Sequence, residues 1–302
     1  MRLHRLAVPI ATCGLLLAAC GSSNDSAGSS GTWSSSSSSS GAAACATGSI
    51  TASGSTALQP LVQQASTAYQ AKCPGATITV SGGGSSTGLS NVSTGASDIG
   101  DSDVPVSNAP SIDASALADH RVAIVVFAVA VNPRTGVTGL TTPQVRDVFS
   151  GKVSNWSQVG GKSVPISLIE RKPGSGTRLS FDKDIMQGTT ESATPASTQD
   201  STQLVLQGVA ASQGGVSYLN VASIKDSSVL AVTIDGTSAN ASGVQSGSYK
   251  FFAHEHMYTK AAAPPLATAF IKYIASSEFQ ATVSGLGFLP PNATTLQSAA
   301  DK

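Results

Sequence analysis

Residues 121–131 read Arg121-Val122-Ala123-Ile124-Val125-Val126-Phe127-Ala128-Val129-Ala130-Val131, an unbroken apolar run behind one arginine. Its length and its β-branched content favour a strand buried on both faces over a helix. Strands and helices alternate on either side of it. Upstream, Ser49–Ala52 reads as a short strand. Ala57–Lys72 follows as a helix, with Leu58, Leu61, Val62, Ala65 and Tyr69 at helical spacing, and then Ala76–Val80 as a strand. Downstream, Thr141-Thr142-Pro143 opens a helix that runs to Phe149, with a hydroxyl cap and an early proline. Thr177–Met186, Ser201–Ala211 and Pro265–Ser284 read as further helices. Val164–Glu170, Gly215–Leu219 and Val229–Ile234 read as strands. This alternation predicts an α/β fold with covered sheets.

Three Gly/Ser clusters stand where a strand hands over to a helix. They are Ser53-Gly54-Ser55-Thr56, Gly82-Gly83-Gly84-Ser85-Ser86-Thr87-Gly88, and Arg171-Lys172-Pro173-Gly174-Ser175-Gly176-Thr177. Each puts hydroxyls and unhindered N–H groups at a helix start, where the first N–H groups have no internal partner and the dipole favours an anion. Glycine lets backbone approach a ligand closely. Each cluster alone is compatible with ordinary capping and turn chemistry. Together with Arg171 they outline an oxyanion site. Neither nucleotide-phosphate pattern fits: G-x-x-x-x-G-K-[ST] is absent, and Thr87 stands where G-x-G-x-x-G needs its third glycine.

Composition narrows the function classes. Lys plus Arg and Asp plus Glu both number 17, so no basic surplus points to nucleic acid. Hydrophobic residues make up 40 %, enough for a core and against global disorder. Arg2, His4 and Arg5 precede an apolar stretch from Ala7 to Ala19, the pattern of a signal peptide over residues 1–19. Leu17-Ala18-Ala19-Cys20 resembles the bacterial lipobox, which predicts a lipid on Cys20. Residues 20–44, mostly Ser, Gly, Asn and Ala, read as a lipidated flexible tether. Without Arg2 and Arg5 the formal charge becomes −2. Cys45 and Cys73 remain as an even pair in an oxidising compartment, which predicts a disulfide; two free thiols are the alternative.

Two other chemistries have formal support. Gly84-Ser85-Ser86-Thr87-Gly88 matches the hydrolase elbow G-x-S-x-G, with His254 or His256 downstream. In so Ser- and Gly-rich a chain the match is weak, and three leading glycines suit a looser loop. His254-Glu255-His256 offers two imidazoles on one strand but no third ligand, so no metal is expected.

In order along the chain, the clusters, Asp98-Ile99-Gly100-Asp101-Ser102-Asp103, Phe149-Ser150-Gly151-Lys152-Val153-Ser154-Asn155-Trp156, Gly214-Gly215-Val216-Ser217-Tyr218 and Gly287-Phe288-Leu289-Pro290 resemble a phosphate-binding lipoprotein of the PstS type. That is the substrate-binding component of a phosphate ABC transporter. The resemblance runs from about Ile50 to Pro290. It implies a two-lobed type II periplasmic-binding-protein fold with two crossovers and the ligand in the inter-lobe cleft. Lobe I would comprise residues 46–128 and 253–302, and lobe II residues 129–252. The first crossover would fall near Phe127–Val131 and the return near Ser248–Tyr258, with the last helix in lobe I.

Carried onto this chain, the family's phosphate contacts fall on eight residues. Thr56 supplies a hydroxyl and N–H, Ala57 an N–H, and Ser85 a hydroxyl. Asp103 accepts the phosphate proton, and Arg171 makes the charged contact. Ser175, Gly176 and Thr177 supply hydroxyls and amides. Sulfate, with no proton to give, would set its lone pairs against those of Asp103. The family often has an aromatic residue where Ala57 stands. Some members hold the arginine with an acid where this chain has Pro173, leaving Glu170 or Asp101 as substitutes. The resemblance implies a monomer, not an enzyme and without cofactor, lipid-anchored at the outer face of the cytoplasmic membrane or in the periplasm. Its partners would be inorganic phosphate and membrane permease subunits. Another oxyanion, a phosphorylated solute, or a secreted serine hydrolase or phosphatase are the alternatives.

Overall fold

A computed structural model of the protein describes residues 45–225 and 227–302. The leader, Cys20 and the tether lie outside the described residues. In chain order the main elements are β1 (Gly48–Gly54), α1 (Gln59–Lys72), β2 (Ala76–Ser81), α2 (Ser85–Thr94), β3 (Ile99–Ser102), β4 (Leu117–Val131), β5 (Gly139–Leu140), α3 (Thr142–Phe149), β6 (Ser167–Arg171) and α4 (Gly176–Phe181). A π-helical turn, Asp182–Met186, continues α4. Then come β7 (Ser197–Gln199), α5 (Thr202–Ala211), β8 (Gly215–Asn220), α6 (Val221–Ile224), β9 (Leu230–Ala231), β10 (Thr233–Ile234), α7 (Ala241–Gln245), β11 (Phe252–Lys260), α8 (Pro265–Ile274) and α9 (Ser277–Val283).

The apolar run is the shared strand of two lobes. Residues 122–131 are all buried, as a doubly covered strand requires. From Leu117 to Val126, β4 pairs antiparallel with β11; from Phe127 to Val131 it pairs antiparallel with β8. The sheet order β2-β1-β3-β11-β4-β8-β6-β7 thus passes from one lobe to the other through β4. β11, arriving at Phe252, is the returning segment.

The predicted face of α1 is the buried one: Leu61, Val62, Ala65 and Tyr69 all point inward. Tyr69 meets Phe270 and Tyr273 of α8 edge-on, at 5.8 and 5.4 Å between centroids, which fixes the last helices onto the first lobe. In the second lobe Phe181 stacks on Tyr218 at 4.1 Å and Phe149 packs against both. Burying an aromatic or branched side chain of this kind contributes about 1.5–3 kcal/mol each. The Cys45–Cys73 disulfide forms, with Cα atoms 5.4 Å apart, and ties the approach to β1 to the end of α1.

Several boundaries differ from the sequence reading for local reasons. Pro265–Ser284 is two helices, because the Ser276 hydroxyl accepts the Phe279 N–H and starts a new ladder. Val229–Ile234 divides into β9 on β4 and β10 on β5. β6 starts at Ser167 rather than Val164, since Pro165 has no N–H to give a ladder. β3 is an added strand, too short to show a period.

Candidate functional site

The first cluster turns because of glycine. Gly54 has φ 141°, and a Cβ there would lie 2.1 Å from the Asp101 carbonyl oxygen. The next residue, Ser55, accepts the N–H groups of Ala57 and Leu58 at 3.1 and 3.0 Å and donates its own hydrogen to Asp103 Oδ1. Ser55 therefore organises the approach to α1, and leaves the Thr56 hydroxyl facing lobe II. Thr56 Oγ1 accepts from Arg171 Nη2 at 3.1 Å and from the Thr202 N–H at 3.2 Å, and lies 3.1 Å from Thr202 Oγ1.

The second and third clusters meet each other. The Ser86 N–H donates to the Gly174 carbonyl at 3.1 Å. Gly176 packs so closely that a Cβ would lie 2.3 Å from Ser85 Oγ and 2.8 Å from Asp103 Cβ. No other residue allows this approach without displacing Asp103. Ser85 Oγ accepts the Asp103 N–H at 3.0 Å, and Thr177 Oγ1 donates to Asp103 Oδ2 at 2.9 Å. Ser175 caps α4 by accepting the Arg178 N–H at 3.3 Å. All eight expected residues thus stand around one inter-lobe junction. The Ala57 N–H, however, is taken by Ser55, and the Ala57 carbonyl accepts from Asn220 Nδ2 at 2.8 Å.

Arg171 is 1 % exposed. Its Nη2 reaches Thr56, while Nε and Nη1 have no acceptor among the described residues. Burial lowers its pKa and the nearby Asp103 opposes that. Burial raises the Asp103 carboxyl above its usual value, against the hydrogen bonds from Ser55 and Thr177 and the charge of Arg171. Asp101 is pushed well up by burial and by Asp103, and neither of its oxygens receives a donor among the described residues.

Neither proposed substitute holds the Arg171 guanidinium. Glu170 pairs with Arg178, at 3.4 Å. Arg178 also reaches Glu191 at 3.3 Å and donates to the Arg171 carbonyl. This second arginine fixes the backbone of Arg171, while Thr56 fixes its head. Asp98 is a structural clamp, its Oδ2 accepting the Thr51 N–H at 2.8 Å.

The comparisons with known proteins show the family. The model of the PBP superfamily domain matches residues 39–278. The phosphate-binding protein PstS of Bacillus subtilis is 40 % identical over 279 residues, 91 % of this chain and 90 % of that protein. The chain belongs to the PstS family. A solved structure from Clostridium perfringens, described as a phosphate ABC transporter substrate-binding protein with bound phosphate, is 28 % identical with a TM-score of 0.75. It covers 80 % of this chain and 99 % of that one. An ABC-type phosphate transport receptor from Vibrio cholerae shares the fold, at 24 % identity and a TM-score of 0.64, covering 81 % and 100 %.

Three residues at this junction carry no sign of it in the sequence: Ser55, Thr202 and Asn220. Ser55 was visible in the first cluster, but one hydroxyl beside another gives no sign of which faces the cleft. Thr202 follows Ser201, which caps α5 at Leu204 N, so the pair reads as plain capping. Beside the Thr56–Thr202 contact lies a cavity of about 460 Å³, lined by uncharged groups including Gln59, Gln63, Ser201 and Ser223. The hydrolase reading finds no support. His254 Nδ1 hydrogen-bonds Asp301 at 2.8 Å and His256 Nδ1 hydrogen-bonds Asp119 at 2.7 Å, so each ring is engaged by an aspartate away from Ser86.

Proposed function

We propose that this protein binds inorganic phosphate between its lobes and delivers it to the permease subunits of an ABC transporter. The observation that carries the reading is Arg171, a buried cation with two nitrogens lacking acceptors, set beside the hydroxyls of Thr56 and Thr177 and the carboxylate of Asp103. A buried guanidinium is stable only with acceptors, and a tetrahedral oxyanion supplies several. Thr56, Ser85, Ser175, Gly176 and Thr177 offer neutral donors around it. Ala57 lines the site and gives its N–H when Ser55 yields it. Asp103, an acceptor-only group when ionised, takes a proton that phosphate carries near neutral pH and sulfate does not.

Lobe I comprises residues 46–128 and 253–302, and lobe II residues 129–252. Contacts from Thr177 to Asp103 and from Thr202 to Thr56 close one lobe on the other when the anion is held. The protein works as a monomer, tethered at the outer face of the membrane by a lipid on Cys20. The reading is supported by the B. subtilis relative's name and by the bound phosphate in the C. perfringens structure.

Calorimetric titration of protein stripped of anion tests it. Phosphate is expected to bind with a clear preference over sulfate, and a phosphate monoester, arsenate and molybdate bound the selectivity. Tighter binding of sulfate or of the ester than of phosphate overturns the assignment.

A further inference from the structure

Behind Asp103 stands a second acid that phosphate would not touch. The β11–β3 ladder ends with His256 opposite Ser102, and Glu255 and Asp103 are the next residues along the two segments. Glu255 is fully buried, and neither of its oxygens receives a hydrogen bond from any N–H or O–H group among the described residues. The acid beside it is Asp103, itself buried and near enough to interact with the Glu255 carboxyl. Two buried carboxyls side by side do not both ionise, so one of them holds a proton.

The surroundings decide which. Asp103 accepts from Ser55 at Oδ1 and from Thr177 at Oδ2, and faces Arg171. Donors and a cation favour the ionised form. Glu255 has none of these. Facing it are Asp101 and Asp103 from the β3 side and Asp301 from the C-terminal segment, all acids. Its neighbours His254 and His256 are engaged by Asp301 and Asp119. The proton therefore belongs to Glu255. Burial and the surrounding acids raise its pKa well above the usual carboxylate range, in the same direction.

A carboxylate has about four lone-pair positions. Ser55, Thr177 and a protonated Glu255 occupy three of those on Asp103, leaving one for the ligand. We propose that Glu255 is a positioning residue for anion selection: it donates its carboxyl proton to Asp103, keeps Asp103 ionised, and so leaves it a single acceptor position that only a proton-bearing oxyanion can satisfy. Without that donor Asp103 becomes more basic and takes up a proton itself. It then offers an O–H, and the bar against a fully deprotonated anion such as sulfate is lifted. The inference rests on the phosphate-binding reading and adds a residue to it.

The test compares the parent with E255Q, whose amide can still donate, and E255L, which cannot. Inorganic phosphate and sulfate are titrated calorimetrically from pH 6 to 8. In E255L the phosphate-to-sulfate preference is expected to fall about tenfold or more, the worth of one hydrogen bond to a charged group. The loss should be greatest at pH 6, where Asp103 most readily takes a proton. E255Q is expected to restore much of the preference. A parental preference in E255L, or an equal loss in E255Q, overturns the role. Should E255L fail to fold, infrared difference spectra of parent against E255Q at pH 7 decide: the carbonyl stretch of a protonated carboxyl must be lost in E255Q, and its absence from the parent overturns the proposal. A parent that binds no phosphate refutes the functional reading instead, and the infrared signal still reports on the proton.

Discussion

The hydroxyl of Thr177 donates to Oδ2 of Asp103 at 2.9 Å, joining a group on the second lobe to the buried carboxyl of the first. The carboxyl we propose as the selective acceptor is thus also a point where the lobes meet. On that proposal ligand choice and cleft closure share one atom pair, and removing either partner should disturb both.

Asp103→Asn tests the selective half of that pair. It takes a negative charge from an anion site, so a Coulomb view has binding improve. It also replaces an acceptor-only group with one that can donate. We expect the variant to bind phosphate still, with its preference over sulfate reduced about tenfold, roughly one hydrogen bond's worth. Calorimetry with both anions measures this. Unchanged rejection of sulfate would show that Asp103 is not the selective acceptor.

Arg171→Met should separate binding from stability. The guanidinium is the cation we propose at the anion, so phosphate affinity should fall about 10- to 150-fold, as for a lost hydrogen bond to a charged group. In this closed arrangement, however, the guanidinium is buried with Nε and Nη1 lacking acceptors among the described residues, so closing without an anion carries a net cost. The melting temperature of stripped R171M is therefore expected to equal or exceed the parent's, while the stabilisation on adding phosphate shrinks. A stripped variant that melts well below the parent would mean that Thr56 alone satisfies Arg171.

Thr202→Val removes a hydroxyl but keeps the shape and the backbone N–H that Thr56 accepts. The hydroxyl pair Thr56–Thr202 crosses between lobes at 3.1 Å. A neutral hydrogen bond contributes about 1 kcal/mol, so phosphate affinity should drop about fivefold. The loss should appear in the dissociation rate if the contact holds the closed form. Stopped-flow release of phosphate distinguishes this from a slower association, which would place Thr202 at entry instead.

What was legible in the sequence follows from how each feature is encoded. The run 122–131 announces a doubly covered strand because burial on both faces removes polar residues altogether. The three Gly/Ser clusters are legible because close backbone approach, as at Gly54 and Gly176, admits no Cβ. Buried acids leave no such trace. Glu255 looks like any strand acid until the β3–β11 ladder sets His256 opposite Ser102 and so brings Glu255 towards Asp103. Arg178 was equally hidden: its role in fixing Arg171 depends on a helical turn bringing residue 178 back beneath residue 171. Ser55 and Thr56 are chemically near-equal, and only the turn at Gly54 decides which of them faces the cleft.

The disulfide makes a prediction about the unfolded chain. Cys45 and Cys73 are 28 residues apart, and closing a loop of that size stabilises by about 3 kcal/mol through lost denatured-state entropy. Cys45→Ala with Cys73→Ala should lower the denaturation midpoint while leaving phosphate affinity near the parent's, since neither cysteine touches the junction of the lobes. An affinity loss beyond threefold would mean that the bridge also sets the position of β1 and hence of Ser55 and Thr56.

The C-terminal segment offers a pH test. Asp184 of the π-helical turn accepts the Ala299 N–H on Oδ1 at 2.6 Å, while its Oδ2 is buried without a donor among the described residues. Burial pushes its pKa up to about 7, and the nearby Asp301 adds to the effect. Asp301 itself is held low: burial would raise it, but the hydrogen bond and charge of His254 outweigh that. A carboxyl raised in the fold relative to the unfolded chain stabilises fully below the unfolded value of 3.8 and loses that contribution as pH rises through about 7. Asp184→Asn cannot ionise and keeps the acceptor for Ala299. Its stability relative to the parent should therefore grow between pH 5 and 8, by on the order of 2 kcal/mol, or several degrees in melting temperature. Asp301→Asn has the opposite sign. It discards a carboxylate that His254 stabilises, so it should destabilise at neutral pH and matter less as the pH falls towards the carboxylate range. Thermal melts of both variants in stripped protein across pH 5–8 check the pair, and parallel curves for D184N and parent would show that Asp184 is already ionised in the fold.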